Sequence, residues 1–119
     1  MRKIIVATAA IAALAIAGEA SAHARLLMGA PKAGSTVAAP KALTLRYSEE
    51  LVPAASHVTV TGPAGAAVAI GPLTVDAKTR RVATVPFVAP PAAGAYKVAW
   101  HMKTEDGHET DGTFAFTVK

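Results

Sequence analysis

No cysteine occurs anywhere in the 119 residues. The chain therefore has no disulfide staple, and packing or a bound ion must hold it together. A blue-copper electron-transfer centre, which needs a thiolate, is excluded, as is lipid attachment through a cysteine behind a leader. Long apolar runs are also missing. The longest apolar stretch, residues 4–17, has 14 residues with Thr8 its one polar member, short of the roughly 20 that cross a bilayer as a helix. Basic residues are scattered, with Arg80-Arg81 the only adjacent pair beyond the first three residues. That is a solvated surface and not a nucleic-acid footprint. Aromatics are few, and most fall on strand faces that read as core, which leaves no displayed array for stacking on sugars.

What is present begins with an export signal. Arg2 and Lys3 precede the apolar run, and Gly18, Glu19, Ala20, Ser21 and Ala22 form a small-residue exit region. Residues 1–22 read as a signal peptide removed after Ala22. Ala22-His23-Ala24 also satisfies the small-x-small rule, so a cut after Ala24 is the alternative. Cleavage after Ala22 leaves residues 23–119 as one domain of 97 residues, with ten basic and seven acidic residues and a net charge of +3. A chain of that size buries roughly 60 to 65% of its unfolded surface, enough for a core.

The same cut makes His23 the first residue. An amino-terminal histidine offers its α-amine and imidazole Nδ1 to one ion, and copper(II) suits such ligands best. Zinc accepts the same donors in a tetrahedral arrangement but ranks below copper(II) in affinity for them.

Beyond the leader the pattern is period-two alternation broken by proline and glycine. Leu43, Leu45 and Tyr47 alternate with polar residues. So do Val58 and Val60, and Ala83, Val85 and Phe87 share a face opposite Val82, Thr84 and Pro86. Tyr96, Val98, Trp100 and Met102 share one face of a long strand, and Phe114, Phe116 and Val118 share one face of the last. Val68, Ala69 and Ile70, and Leu73, Thr74 and Val75, are weaker candidates. No helical pattern intervenes. The expectation is an all-β fold, a small antiparallel Greek-key β-sandwich or barrel of immunoglobulin-like or cupredoxin-like form. Met28 and Met102 read as core filler, and Trp100, Phe114 and Phe116 as core.

Residues 104–112, between the two strongest strands, form the most polar window. Asp106 and His108 are two apart, so in extended conformation both side chains point to one side and can grip an ion. Gly107 lets the backbone bend between them. His101 shares its face with Lys97 and reads as solvent-facing, with a role as alternate ligand left open by its nearness to Asp106. His57, among polar neighbours, reads as surface.

Taken in order and spacing, these pieces resemble the CopC family of exported bacterial copper-binding proteins. The matching features are the His23 start, Pro31-x-x-Gly34-Ser35, Leu43-x-Leu45-x-Tyr47-Ser48-Glu49, Gly94-x-Tyr96-x-Val98-x-Trp100, Asp106-x-His108 and Gly112-x-x-x-Phe116-x-Val118. They run over essentially the whole chain after the leader. The resemblance implies a copper(II) site on His23, Asp106 and His108. Glu49 matches a position that in some members supplies a further carboxylate, with water as the alternative. Some members carry a methionine-rich copper(I) site mid-chain. Residues 62–77 here hold neither methionine nor histidine, so the resemblance implies one copper(II) ion per chain. It further implies a periplasmic monomer in copper resistance or homeostasis, sequestering copper or passing it to an inner-membrane transporter of the CopD type. No nucleic-acid partner is expected, and membrane contact only through the removed leader.

Two readings of other classes compete. A histidine-brace copper oxygenase acting on polysaccharide would use the same amino-terminal histidine, but Asp106 fills a position that an oxygenase leaves open for oxygen. A metal-free immunoglobulin-like binding module would take up no copper. The expectation is a binding protein and not an enzyme.

Overall fold

The computed structural model describes residues 24–119; His23 and the leader lie outside the described residues. Eight strands run in chain order as β1 (Leu26–Ala30), β2 (Thr36–Val37), β3 (Ala42–Tyr47), β4 (His57–Thr61), β5 (Thr74–Val75), β6 (Val82–Pro86), β7 (Gly94–Lys103) and β8 (Glu109–Val118). They form two four-stranded sheets, ordered β1-β3-β6-β5 and β2-β8-β7-β4. The fold is therefore a sandwich and not a closed barrel.

Alternation produces this arrangement because successive side chains on a strand point to opposite faces. Leu43, Leu45 and Tyr47 of β3 and Ala83 and Val85 of β6 are buried on the inner face of one sheet. Val58 and Val60 of β4, Tyr96, Val98, Trp100 and Met102 of β7, and Phe116 and Val118 of β8 are buried on the other. The Tyr47 ring meets Trp100 edge-on across the two sheets, with centroids 5.0 Å apart. Such pairs add about 0.5–1.5 kcal/mol beyond the area they bury. The Tyr47 hydroxyl is buried without a hydrogen-bond partner among the described residues, and that burial pushes its pKa up.

The expected all-β sandwich is what the chain forms, with three local departures. The sandwich is not wholly antiparallel: β2 pairs parallel to β8, Thr36 with Thr117 and Val37 with Val118. The turn at residues 31–35 carries the chain from an edge of one sheet to an edge of the other, where the β8 edge is met in the same direction. Met28 is 58% exposed, because the β1–β3 register shifts between Leu26 and Met28 and breaks the alternation on this edge strand. Val68 and Ile70 form no strand; only the single bridges Thr61–Ala67 and Ile70–Phe87 mark that stretch.

The elements that matter for the site meet at one end of the sandwich. β7 and β8 are a ten-rung antiparallel hairpin, closed by Lys103 opposite Glu109. The stretch after β3 runs alongside the top of that hairpin, with Leu51 bridged to Thr104 and the Val52 amide donating to the Lys103 carbonyl at 2.8 Å.

Candidate copper site

Residues 104–108 make a tight turn: the Gly107 amide donates to the Thr104 carbonyl and the Thr104 amide to the His108 carbonyl, both at 2.9 Å. Gly107 has φ +93°, a conformation that a side chain disfavours. Asp106 and His108 thus converge through a turn and not through the extended backbone expected from their spacing. Asp106 Oδ2 lies 3.1 Å from His108 Nδ1. Two bonds of about 2.0 Å at a right angle would put their donors about 2.8 Å apart, so a carboxylate oxygen and a ring nitrogen at this separation suit neighbouring positions on one ion.

The carboxylate is held in its charged form. The buried Thr104 hydroxyl donates to Asp106 Oδ1, and the His108 amide reaches the same oxygen at 3.2 Å. Led by the Thr104 hydroxyl, then the His108 ring and amide, these bonds bring the Asp106 pKa down to about 2 from the ordinary 3.8. Asp106 therefore supplies a full negative charge at neutral pH, on a loop open enough to admit an ion. Both side chains are about half exposed. Sequence reasoning missed Thr104, the residue that orients the carboxylate; a buried threonine two residues ahead of an aspartate leaves no trace in period-two patterning.

Glu49 is half-buried in the stretch between β3 and this loop. Its neighbours are fastened on both sides. Toward the chain start, the Ser48 amide donates to the Arg25 carbonyl at 3.0 Å and the Arg25 amide donates to Ser48 Oγ at 2.9 Å. Toward the loop, the Glu105 amide donates to the Glu50 carbonyl at 3.0 Å. Ala24 is buried in the core at 3% exposure. Residues 48–51 thus join the segment that follows His23 to the loop that carries Asp106 and His108. Among the described residues, no three histidine or carboxylate side chains gather closely enough to hold an ion, so Glu49 is not grouped with the Asp106–His108 pair.

The other histidines lie on the outer face of the β4-β7-β8 sheet. His57 opens β4, directly opposite His101 of β7, and the two rings stack at 5.1 Å and 20°. His101 Nδ1 lies 2.5 Å from Asp111 Oδ1 and Nε2 2.8 Å from Glu109 Oε1. His57 is a surface residue as expected, whereas His101, expected to face solvent, is engaged at both ring nitrogens.

Comparison with known proteins agrees with this architecture. A family model described as the CopC domain matches residues 26–119. Protein YobA of Escherichia coli K12 is 35% identical over 99 residues, covering 82% of this chain and 80% of its own. Copper resistance protein C of Escherichia coli is 33% identical over 114 residues, covering 89% of each. The crystal structure of CopC from Methylosinus trichosporium OB3b superposes with a TM-score of 0.76 at 31% identity, over 82% of this chain and 94% of that one. With its two-sheet sandwich and a family match that spans every strand, this chain belongs to the CopC family.

Proposed function

We propose that this chain is exported to the periplasm, cut after Ala22, and binds one copper(II) ion tightly through the His23 amine and imidazole, His108 and Asp106. The observation that carries the proposal is the double fastening of residues 48–51, to Arg25 on one side and to the Asp106–His108 loop on the other. His23 stands two residues before Arg25, a span of at most about 7 Å of extended chain. Burial of Ala24 favours the cut after Ala22, because a cut after Ala24 would delete a core residue and put a charged amine where the Arg25 amide meets Ser48.

Three nitrogens and one carboxylate oxygen suit a tetragonal copper(II) centre. The carboxylate disfavours copper(I), which supports a role in holding or passing on copper and not in oxygen activation. Glu49 stands apart from the Asp106–His108 pair among the described residues; its proposed role is that of a further carboxylate, as ligand or as acceptor from a ligating imidazole, with water as the alternative. Delivery to a membrane copper transporter of the CopD type and simple sequestration both fit a carrier whose Asp106–His108 loop is exposed at one end of the sandwich.

The experiment extends the processed protein by one residue ahead of His23 and titrates both forms with copper(II) against a competing chelator. Losing the free amine should weaken binding by orders of magnitude, and His108→Ala should do likewise, while His57→Ala should bind as the parent does. Equal affinity of the extended and processed forms would remove the amine from the ligand set.

A further inference from the structure

His101 faces two carboxylates at once, at 2.5 and 2.8 Å. Ionised carboxylates only accept hydrogen bonds, and a neutral imidazole carries one N–H. Satisfying both contacts therefore requires the doubly protonated, cationic ring. Both carboxylates belong to the first three residues of β8, immediately behind His108: Asp111 lies directly across from His101, and Glu109 one same-face position nearer the loop, opposite Lys103.

We propose that His101 is a positioning residue for the copper loop, its imidazolium fastening the start of β8 to β7 and so fixing where His108 presents its ring. This rests on the copper reading above. The other groups facing His101 on this side of the sheet are few. β4 contributes His57, stacked on its ring, and the neutral Thr59; β7 itself carries Lys97 and Lys103 on the same face, with Ala99 between Lys97 and His101. β8 contributes Asp111, Glu109 and the neutral Thr113. The carboxylates are the nearest of these charges and favour the protonated ring.

Chiefly through the Asp111 bond, then the Glu109 bond, the His101 pKa is raised above 6.5. A group whose folded pKa is raised contributes fully below its unfolded value and loses that contribution as pH rises through the folded one. The fastening is therefore strongest in acid and lost in base. Copper binding at the amine and imidazoles runs the opposite way, because those donors must shed protons. His101 thus keeps the loop ordered under the conditions in which the metal is most readily lost.

The test titrates the processed protein with copper(II) at about pH 6 and about pH 9, comparing the parent with His101→Ala and His101→Lys. At the lower pH, His101→Ala should bind roughly tenfold more weakly, in line with loss of an outer partner at a metal site. That deficit should shrink to about twofold at the higher pH, as the parent ring loses its proton. His101→Lys, a cation at both values, should restore most of the affinity. In the metal-free protein, nitrogen NMR should place the His101 midpoint above 6.5, and Asp111→Asn should lower it. A deficit equal at both pH values, parent-like binding by His101→Ala, or an unmoved midpoint in Asp111→Asn overturns the proposal. If instead the extended terminus and His108→Ala also bind like the parent, the copper reading itself has failed, and the NMR midpoints still report on the fastening alone.

Discussion

Asp106 owes its chemistry to one neighbour. Thr104 is 1% exposed, its hydroxyl directed at the carboxylate, and this bond is the largest cause of the low Asp106 pKa. Because the folded value, about 2, lies below the ordinary 3.8, the bond's contribution is present above the unfolded pKa and lost as pH falls through about 2. On the proposed ligand set, any loss of copper on mild acidification would then come from protonation of nitrogen donors; an α-amine has an ordinary pKa of about 7.7 to 8.0. Carbon NMR of the metal-free protein should find the Asp106 midpoint near 2, and Thr104→Val, which keeps the shape without the hydroxyl, should move it up toward 3.8. An unchanged midpoint in that variant would assign the shift to His108 instead.

The β7–β8 hairpin carries the loop, and its rigidity depends on a close approach within it. Trp100 and Gly112 face one another across the two strands, and a Cβ at Gly112 would collide with the indole Cζ2 and Cε2 atoms. Glycine is needed there for space, so that the indole can sit close against β8 while it makes its T-shaped contact with Tyr47. Gly112→Ala should destabilise the domain by about 1–3 kcal/mol, as overpacking does, read by urea unfolding of the metal-free protein. Stability equal to the parent's would mean that the indole has room to move aside. Much of this hairpin was legible in advance, because Tyr96, Val98, Trp100 and Met102 alternate without a break. The start of β8 was less so. Residues 109–112 are polar on the outer face and read as loop, yet they pair in full register with β7. For the same reason the role of His101 was hidden: its partners Asp111 and Glu109 are 10 and 8 residues away, and only the strand pairing sets them against its ring.

For the molecule as a whole, copper should act as a clasp between the chain start and the last hairpin. An ion that binds the native state alone stabilises it by RT ln(1 + [L]/Kd), about 2.7 kcal/mol when free copper is a hundredfold above Kd. For a domain of this size that corresponds to a rise in Tm on the order of 10 °C. Differential scanning calorimetry of the processed protein with and without copper(II) measures it. A melting temperature unmoved by saturating copper would mean that the ion does not join the two segments.

Alternation of apolar residues made the strands, the inner faces and the sandwich readable from the chain, since burial of one face is a local matter of every second side chain. Residue types at the chain start and in the polar window likewise named Asp106 and His108 as a pair. Their convergence through a turn, the buried hydroxyl that charges the carboxylate, the parallel seating of β2 on β8 and the exposure of Met28 came only with the assembled fold. Each depends on partners distant in the chain or on a break in register, and neither distance nor register is written in any short stretch of residues.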